Sequence, residues 1–392
     1  MSSIKSILEF GTSKIVCMID TTGIREMDIP AASCVRYEGI KYGSWVNADA
    51  LSAAIEDAIM TAEKKCSKQI KNIFVGVPAD FSKTILGEHS IDVQAGIVNH
   101  DIICKMAELS KPKNLNDYTL IEVRPVYFMD SSSNIYVDLP IGIRTKSLKA
   151  MFSFFYAKKS FVSDVSSILD GMHIRINGFI NEIYQQAKKY IPENDRISTS
   201  ILVDVGYTQT TVSSIYFDSV TATDVIQMGG ETIVRDLVSK IGISPHIAES
   251  LKRGHVFGLS SNRNSHVYGR DEQGRMIGFS ESIVREIIED RMYELCHSIT
   301  MSIRGFIRNS IVSKKAPIYL SGCGIVMKGA ETFLQNVIGK SIYPVRNPMY
   351  NVFTPIYNTA FSLLDNNIDK PYDLCVGVYQ SQVSSKLGRL FK

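Results

Sequence analysis

The sequence predicts an α/β protein built from two related halves. Its 392 residues are 45% hydrophobic and 21% charged, which is enough apolar material for at least two cores. Residues 7–19 read I-L-E-F-G-T-S-K-I-V-C-M-I, and residues 201–215 read I-L-V-D-V-G-Y-T-Q-T-T-V-S-S-I. Each stretch predicts a strand, a glycine turn and a second strand, and the two lie half a chain length apart. This repeat indicates an internal duplication.

Composition and charge exclude several classes of protein. Lys and Arg total 43 against 40 Asp and Glu, so the net charge of +3 predicts no nucleic-acid partner. The seven cysteines are scattered without a C-x-x-C pair, which is typical of reduced thiols. Glu9 falls where a signal peptide needs an apolar core, and the most apolar internal run, 150–157, is too short to span a membrane. We therefore expect a cytosolic protein, unless something peripheral anchors it.

The two hairpins have the chemistry of phosphate binding. A glycine in each turn, Gly11 or Gly206, lets backbone N–H groups approach an anion closely. Neighbouring hydroxyl and amino groups add donors, and these are Thr12, Ser13, Lys14, Thr208 and Thr210. A carboxylate precedes each glycine by two positions, Glu9 or Asp204, and is suited to holding the waters of a Mg²⁺ ion. The alternative is two ordinary hairpins with surface turns, but that leaves both carboxylates unexplained among apolar strand residues.

Three further pieces are each weak alone. A glycine turn, Ser321–Gly324, follows a predicted strand at 318–320 and precedes a predicted helix at 325–338, an arrangement that can bind anions. Gly229 and Gly230 open another predicted helix. Glu249 and Lys252 are three residues apart and share one face of a helix, which is most often a solvated ion pair.

The order of these motifs resembles that of the actin-like ATPase superfamily, and the details resemble the FtsA family. L-E-F-G-T-S-K at 8–14 resembles the first phosphate motif of FtsA, and A-E-S-L-K-R-G-H at 248–255 resembles its A-E-x-x-K segment. I-E-D-R-M-Y-E-L at 288–295 resembles the family's I-E-P-R-x-x-E-L helix, with Asp290 in place of proline. N-T-A at 358–360, followed by F-S-L-L, resembles its S-T-A-x-G-L-L ending, with Ser362 in place of glycine.

This resemblance implies an actin-like ATPase fold, with two duplicated lobes around a nucleotide cleft and an inserted α+β subdomain, 1C. The implied boundaries are residues 1–81, 174–198 and 355–380 for subdomain 1A, 82–173 for 1C, 199–230 and 315–354 for 2A, and 231–314 for 2B. Within 1C we expect strands at 119–126 and 151–156 and helices at 101–109 and 161–169.

The resemblance also implies a ligand, ATP with Mg²⁺, and roles for single residues. Glu249 would contact the ribose and Lys252 the adenine, while Gly322, Cys323 and Gly324 would form the adenosine turn. Cys323 replaces the usual glycine there, and Tyr207, Thr208 and Gln209 lengthen the second phosphate loop. Glu182 falls where actin-like ATPases orient the attacking water, and the alternative is a glutamate on a helix face. We therefore expect ATP binding with slow or negligible hydrolysis.

The last residues, 381–392, predict a short amphipathic helix. Val383, Leu387, Leu390 and Phe391 form one apolar stripe, and Lys386, Arg389 and Lys392 flank it. This pattern is typical of an anchor on an anionic membrane surface, and FtsA ends in such a helix. The alternative is a frayed terminus.

The expected function is that of a cell-division adaptor that self-associates head to tail on the inner face of the cell membrane and tethers FtsZ at the division site. In the FtsA family the FtsZ tail docks on 2B, where the candidate residues are Arg291, Glu294, Arg304 and Arg308, and other division proteins bind through 1C. Two alternatives remain open. One is a PilM-like adaptor of a type IV pilus machine, and the other is a small-molecule kinase of the same fold.

Overall fold

A computed structural model describes residues 5–20, 31–37, 39–94, 96–259, 265–309, 312–347, 349 and 354–365 of the chain. The chain divides into two compact units. The first comprises Met1–Thr199, Ser214–Thr223 and Tyr357–Lys392, and the second comprises Ser200–Ser213 and Asp224–Ile356.

The first unit contains a five-stranded sheet and a separate four-stranded sheet. In chain order its elements are β1 (Ser6–Phe10), β2 (Lys14–Ile19), β3 (Ala31–Arg36), β4 (Ile40–Lys41), β5 (Ser44–Trp45), α1 (Ala48–Cys66), β6 (Asn72–Val77), β7 (Ser82–Asp92), α2 (His100–Ser110), β8 (Tyr118–Asp130), β9 (Ile135–Tyr136), β10 (Ser147–Lys158), α3 (Lys159–Gly171), β11 (Arg175–Asn181), α4 (Glu182–Tyr190) and α5 (Glu193–Ser198). The predicted helices and strands of 82–173 all fall within these elements.

The five-stranded sheet of the first unit has the order β11-β6-β1-β2-β3. Strands β1, β2 and β3 form an antiparallel meander. Strand β6 pairs parallel with β1, and β11 pairs parallel with β6. Every residue of β1 and β2 is buried, which explains why these strands read as nearly continuous apolar runs. Asn47 caps the start of helix α1, because its side chain accepts a hydrogen bond from the Ala50 amide at 3.1 Å.

The four-stranded sheet has the order β7-β10-β8-β9 and a hydrophobic core of its own. Phe128, Phe152 and Phe154 are fully buried there against Met106 of α2. Gly87 of β7 lets α2 pack close to the sheet, because a Cβ built at this glycine would lie 2.0 Å from the Ser110 carbonyl oxygen.

An aromatic cluster joins β1, β5 and α3 within the first unit. The ring centroid of Phe161 on α3 lies 5.4 Å from that of Phe10, 5.5 Å from that of Trp45 and 5.0 Å from that of Phe81. The Trp45 indole N–H donates a hydrogen bond to Asp164 at 2.9 Å. Helix α3 therefore packs on the five-stranded sheet at the end of β1 that leads into the first glycine turn.

The second unit repeats the strand order of the first. After α5 the elements are β12 (Ser200–Val205), β13 (Thr210–Tyr216), β14 (Ser219–Ile226), α6 (Gly230–Ile241), α7 (Pro245–Gly254), β15 (His266–Arg270), β16 (Met276–Ser280), α8 (Glu281–Arg308), β17 (Ile318–Ser321), α9 (Ala330–Ile338), β18 (Ile342–Pro344) and α10 (Asn358–Asp365). The end of β13 and the start of β14 (Ser214–Thr223) and α10 are grouped with the first unit. The sheet order is β14-β13-β12-β17-β18, again a meander followed by two strands parallel to its first strand and to each other.

This shared strand order confirms the predicted duplication. The predicted helix at 325–338 is partly wrong, because α9 begins only at Ala330, after Gly329 with φ +82°. The residues between Gly324 and Gly329 form turns, and Lys328 among them makes an isolated parallel β-bridge with Val256.

Within the described ranges, no helix is long and apolar enough to cross a bilayer. The predicted amphipathic tail, residues 381–392, lies outside the described residues, as does the part of the implied subdomain 1A after Asp365.

The aromatic cluster predicts a large stability loss for Phe161→Ala. Removing a fully buried phenyl ring that packs against four other aromatic rings, those of Phe10, Trp45, Phe81 and Phe179, should lower the free energy of unfolding by about 3–5 kcal/mol. Urea unfolding followed by circular dichroism measures this. Tyr42→Ala, at a residue that is 68% exposed, is the control and should cost no more than about 0.5 kcal/mol. Equal losses in the two variants would contradict the cluster.

Candidate functional site

The first glycine turn, in the first unit, connects two buried strands. The Gly11 amide donates to the Lys14 carbonyl at 2.9 Å, which closes the turn between β1 and β2. Glu9 is 3% exposed, and its Oε2 lies 3.3 Å from the Lys14 Nζ. The Lys14 ammonium therefore compensates a carboxylate that burial would otherwise penalise.

Glu182 lies in the same region as Glu9. It is the first residue of α4, it is 7% exposed, and its neighbour Asn181 caps the helix by accepting from the Tyr184 amide at 2.9 Å. Gly76 on β6 makes room for it, since a Cβ built there would lie 2.5 Å from the Glu182 Oε1. The structure thus places Glu182 at the buried start of α4, beside the strands that carry the first glycine turn.

Tyr37, just after β3, lies near these two carboxylates and bonds to the first glycine turn. Its hydroxyl donates to the Gly11 carbonyl at 2.9 Å. Burial raises the pKa of this hydroxyl well above its ordinary value, and the negative charges of Glu9 and Glu182 raise that pKa further. Sequence reasoning did not select Tyr37, because nothing in the pattern around a strand end distinguishes it from other tyrosines.

The second glycine turn, in the second unit, is the meeting point of three backbone segments. The Gly206 amide donates to the Gln209 carbonyl at 2.8 Å, and the Gly206 carbonyl accepts from the Gly230 amide at 3.1 Å. A Cβ at Gly229 would lie 2.5 Å from this Gly206 oxygen, and a Cβ at Gly324 would lie 1.9 Å from it. Side chains at these positions are therefore excluded by backbone contacts.

The adenosine-turn candidates lie in the same place. The Gly324 amide donates to the Val205 carbonyl at 2.8 Å. Gly322 has φ +94°, and a Cβ there would lie 2.5 Å from the Asp204 Oδ1. Asp204 stands opposite Ser321 in the parallel pairing of β12 with β17. The structure thus brings together the glycines of the three motifs that are dispersed over more than 100 residues of the second half.

Glu249 and Lys252 on α7 form the predicted ion pair, with 2.8 Å between the Lys252 Nζ and the Glu249 Oε2. It is not a solvated pair on the lysine side, because the Lys252 side chain is only 3% exposed. Its Nζ lies 3.4 Å from the Gly230 carbonyl oxygen and 5.7 Å from the centroid of the Tyr207 ring. Burial lowers the pKa of Lys252, and the Glu249 carboxylate opposes that shift.

The motifs of each unit thus converge within that unit. Glu9, Gly11, Lys14 and Glu182 gather at one end of the first sheet. In the second unit the gathered residues are Asp204, Gly206, Gly229, Gly230, Lys252, Gly322 and Gly324, with the partly exposed thiol of Cys323 between the last two. In the second unit the buried Lys252 ammonium lies beside these glycine segments, a setting that suits an anionic ligand.

The candidate partner residues on α8 differ in their surroundings. Arg291 is held by its own unit, with its Nε 2.8 Å from the Asp236 Oδ2 on α6 and a second ion pair to Glu294. Arg304 and Arg308 are exposed, and the Glu294 side chain is 57% exposed. Arg291 therefore has a structural contact that the sequence pattern did not predict.

His255 closes the A-E-x-x-K-R-G-H segment in a buried setting. Its side chain is 8% exposed, its Nε2 lies 3.6 Å from the Glu289 Oε1, and its ring makes an edge contact with Phe257. Burial lowers the pKa of His255 to about 4, with the positive charge of Arg285 acting in the same direction and Glu281 opposing it.

Comparison with solved structures places this fold among the actin-like proteins. The PilM–PilN type IV pilus biogenesis complex superposes with a TM-score of 0.58 at 14% identity, over 93% of this chain and 98% of that chain. A second match is MreB5 of Spiroplasma citri bound to AMPPNP, with a TM-score of 0.50 at 11% identity, over 92% of this chain and 95% of that chain. The protein therefore has the actin-like ATPase fold.

Comparison of sequences indicates which family of proteins this chain resembles. The family model described as "Cell division protein FtsA" matches residues 201–362. The cell division protein FtsA of Streptococcus pneumoniae serotype 2 is 21% identical over 375 residues, which cover 92% of this chain and 81% of that protein. The resemblance to the FtsA family that the motifs predict is confirmed.

The setting of His255 predicts a pH dependence of stability. Because the folded state binds this proton less tightly than the unfolded chain, the unfolded state holds more protons between about pH 4 and pH 6.5. Stability should therefore fall as the pH is lowered through this window, by on the order of 2 kcal/mol.

Urea unfolding between pH 4 and pH 7 measures this dependence. His255→Gln should flatten the curve, because glutamine takes up no proton there. His246→Gln, at an exposed histidine, is the control and should keep the slope of the unaltered protein. Parallel curves for the two variants would show that His255 is not the titrating group.

Proposed function

We propose that this chain is an ATP-binding, actin-like cell-division protein that self-associates on the inner face of the cell membrane and tethers FtsZ there. The observation that supports it most is the convergence of the second unit's glycine turns with the buried Lys252, in a chain that resembles FtsA over most of its length. Other division proteins would bind through residues 82–173.

The glycine turns and the buried Lys252 support nucleotide binding. The turns at Gly11 and Gly206 are tight, internally hydrogen-bonded glycine turns, a kind of turn that can hold phosphate groups against the backbone. Lys252 supplies a cation that is already desolvated, next to the aromatic face of Tyr207. The relative with the AMPPNP ligand has the same fold, which is consistent with a nucleotide here.

Mg²⁺ would accompany the nucleotide, and Glu9 and Asp204 are each suited to accept hydrogen bonds from its waters. Carboxylate oxygens are the ligands this ion prefers, and Mg²⁺ retains much of its hydration shell in such sites. The ion would neutralise phosphate charge. Glu182 would orient a water molecule, and we expect turnover to be slow, with ATP serving mainly a structural role.

Docking of the FtsZ tail is assigned to residues 231–314. An open groove of 490 Å³ runs along α8 and is lined in part by Asp224, Ile226, His297, Met301 and Phe306. Arg304 and Arg308 are exposed residues of the same helical stretch. A groove with an apolar floor and cations nearby suits an extended peptide.

The alternatives are less well supported. The likeness to PilM concerns the fold alone at 14% identity, whereas the FtsA proteins match in sequence along most of the chain. A small-molecule kinase would require a catalytic carboxylate next to a second substrate, and no residue of the described ranges is placed in that role by a motif.

Replacing Lys252 tests nucleotide binding. Lys252→Met keeps the length and burial of the side chain but removes its charge, and it should weaken Mg-ATP binding about tenfold or more, measured by isothermal titration calorimetry. Arg253→Met is the matched control, because Arg253 pairs with the same Glu249 but its side chain is 64% exposed. Its affinity for Mg-ATP should stay within about twofold of the original. Equal effects of the two changes would count against the site.

Truncation after Gln380 tests the membrane role. The full chain should sediment with anionic vesicles and carry FtsZ into the pellet, because an amphipathic helix binds such surfaces and self-association multiplies a weak contact. The truncated chain should stay in the supernatant while still binding Mg-ATP. If the full chain also stays in the supernatant, with ATP and without it, the tail is not an anchor and an adaptor recruited by a protein partner becomes the better interpretation.

A further inference from the structure

Successive carbonyl groups of the first glycine turn all accept hydrogen bonds from one neighbouring segment. The Tyr37 hydroxyl donates to the Gly11 carbonyl at 2.9 Å, the Tyr37 amide to the Ser13 carbonyl at 3.3 Å, and the Ile40 amide to the Thr12 carbonyl at 3.4 Å. We call Tyr37, Gly39 and Ile40 the strap. It follows β3 directly, so its first bond extends the antiparallel pairing of β2 with β3, in which Lys14 stands opposite Arg36.

This arrangement fixes the direction of the amides in the turn. A trans peptide is planar, and its N–H points opposite to its carbonyl. Because the carbonyls of Gly11, Thr12 and Ser13 are directed at the strap, the amides of Thr12, Ser13 and Lys14 are directed away from their strap donors. Successive amides held in one orientation are the arrangement that binds phosphate oxygens.

We infer that Tyr37 and Gly39 are positioning residues for phosphate recognition, acting by holding the amides of the first glycine turn in their anion-binding orientation. This inference rests on the proposed nucleotide binding and extends it, because it assigns the strap to the phosphate end of the ligand. Neither residue belongs to the glycine and carboxylate motifs of the site.

Gly39 allows the strap to approach the turn. It has φ +80°, and a Cβ built on it would lie 1.8 Å from the Thr12 carbonyl oxygen and 3.3 Å from the Ser13 Cα. Any side chain there would push the Thr12 carbonyl away from the Ile40 amide. The absence of a side chain is therefore a requirement of this contact and not only of the local backbone angle.

Tyr37 supplies the bond that backbone pairing cannot make. Its hydroxyl lies among Glu9, Glu182 and the turn, and its raised pKa means that it keeps its proton and remains a donor to the Gly11 carbonyl. Phenylalanine would retain the ring and its packing while removing this one bond. The Gly11 peptide would then lose the constraint that orients the Thr12 amide.

The simpler explanation is that the strap only stabilises the fold. The two explanations differ in what they predict for parts of the ligand. A strap that only supports the fold would affect the binding of all ligands equally or not at all. A strap that aligns the turn would affect ligands with phosphates and spare those without.

The test compares Tyr37→Phe with the unaltered full chain, using Mg-ATP and adenosine in separate titrations. Tyr37→Phe should weaken Mg-ATP binding about fivefold to tenfold, as expected for one lost hydrogen bond that aligns a charged ligand, and should leave adenosine binding within about twofold. Tyr42→Phe is the matched control, because Tyr42 is 68% exposed on the neighbouring β4–β5 turn. It should change neither affinity.

A second pair of variants addresses Gly39 independently. Gly39→Ala should weaken Mg-ATP binding at least as much as Tyr37→Phe. Gly142→Ala is its control, because Gly142 has φ +83° but no atom within 4 Å of an added Cβ, so it carries the backbone strain without the collision. If Gly39→Ala does not fold, as shown by the fluorescence of the single tryptophan, Trp45, the tyrosine pair alone decides.

The outcomes separate the inference from the proposed function. If the unaltered chain binds no nucleotide, the proposed function fails and this inference fails with it. If it binds Mg-ATP but Tyr37→Phe binds it equally well, or loses affinity for adenosine by the same factor, only the inference is wrong. A loss confined to Mg-ATP supports both.

Discussion

The close packing of main-chain segments around the Gly206 carbonyl is the constraint on which the candidate site depends. This oxygen accepts from the Gly230 amide, and side chains at Gly229 and Gly324 would collide with it. The contact brings the amino end of α6 beside the second hairpin and the turn after β17. Each of these segments alone is an ordinary structural feature, but the short backbone separations turn them into one site.

The position of Lys252 follows from this packing. Its Nζ reaches the Gly230 carbonyl and the Tyr207 ring only because the glycine segments leave no side chains between α7 and the turn. A buried ammonium is costly, and Glu249 on the preceding turn of α7 offsets part of that cost. The structure thus retains a buried cation whose charge is balanced by Glu249 within the same helix.

The sequence predicted those parts of the fold that depend on local pattern. The two hairpins are visible because apolar runs, carboxylates and glycines recur in the same order, and α7 is visible because Glu249 and Lys252 have helical spacing. The contacts that depend on tertiary packing were not predictable. Nothing in the sequence indicates that Gly39 lies against Thr12, that Gly76 makes room for Glu182, or that Arg291 binds Asp236, because these pairs are 27, 106 and 55 residues apart and follow no period. The late start of α9 has a similar cause, since the positive φ of Gly329 ends the irregular turn that follows Gly324.

The points where the chain enters and leaves the four-stranded sheet affect how this sheet can evolve. Ser82 at the start of β7 is paired with Ala157 near the end of β10, so the chain leaves and rejoins the five-stranded region at neighbouring points. Phe81 and Phe161, on either side of the segment, pack together with 5.0 Å between their ring centroids. An inserted segment whose ends already touch can be lengthened, shortened or exchanged without stretching the host. The surface it presents can therefore evolve separately from the glycine turns, which tolerate almost no change.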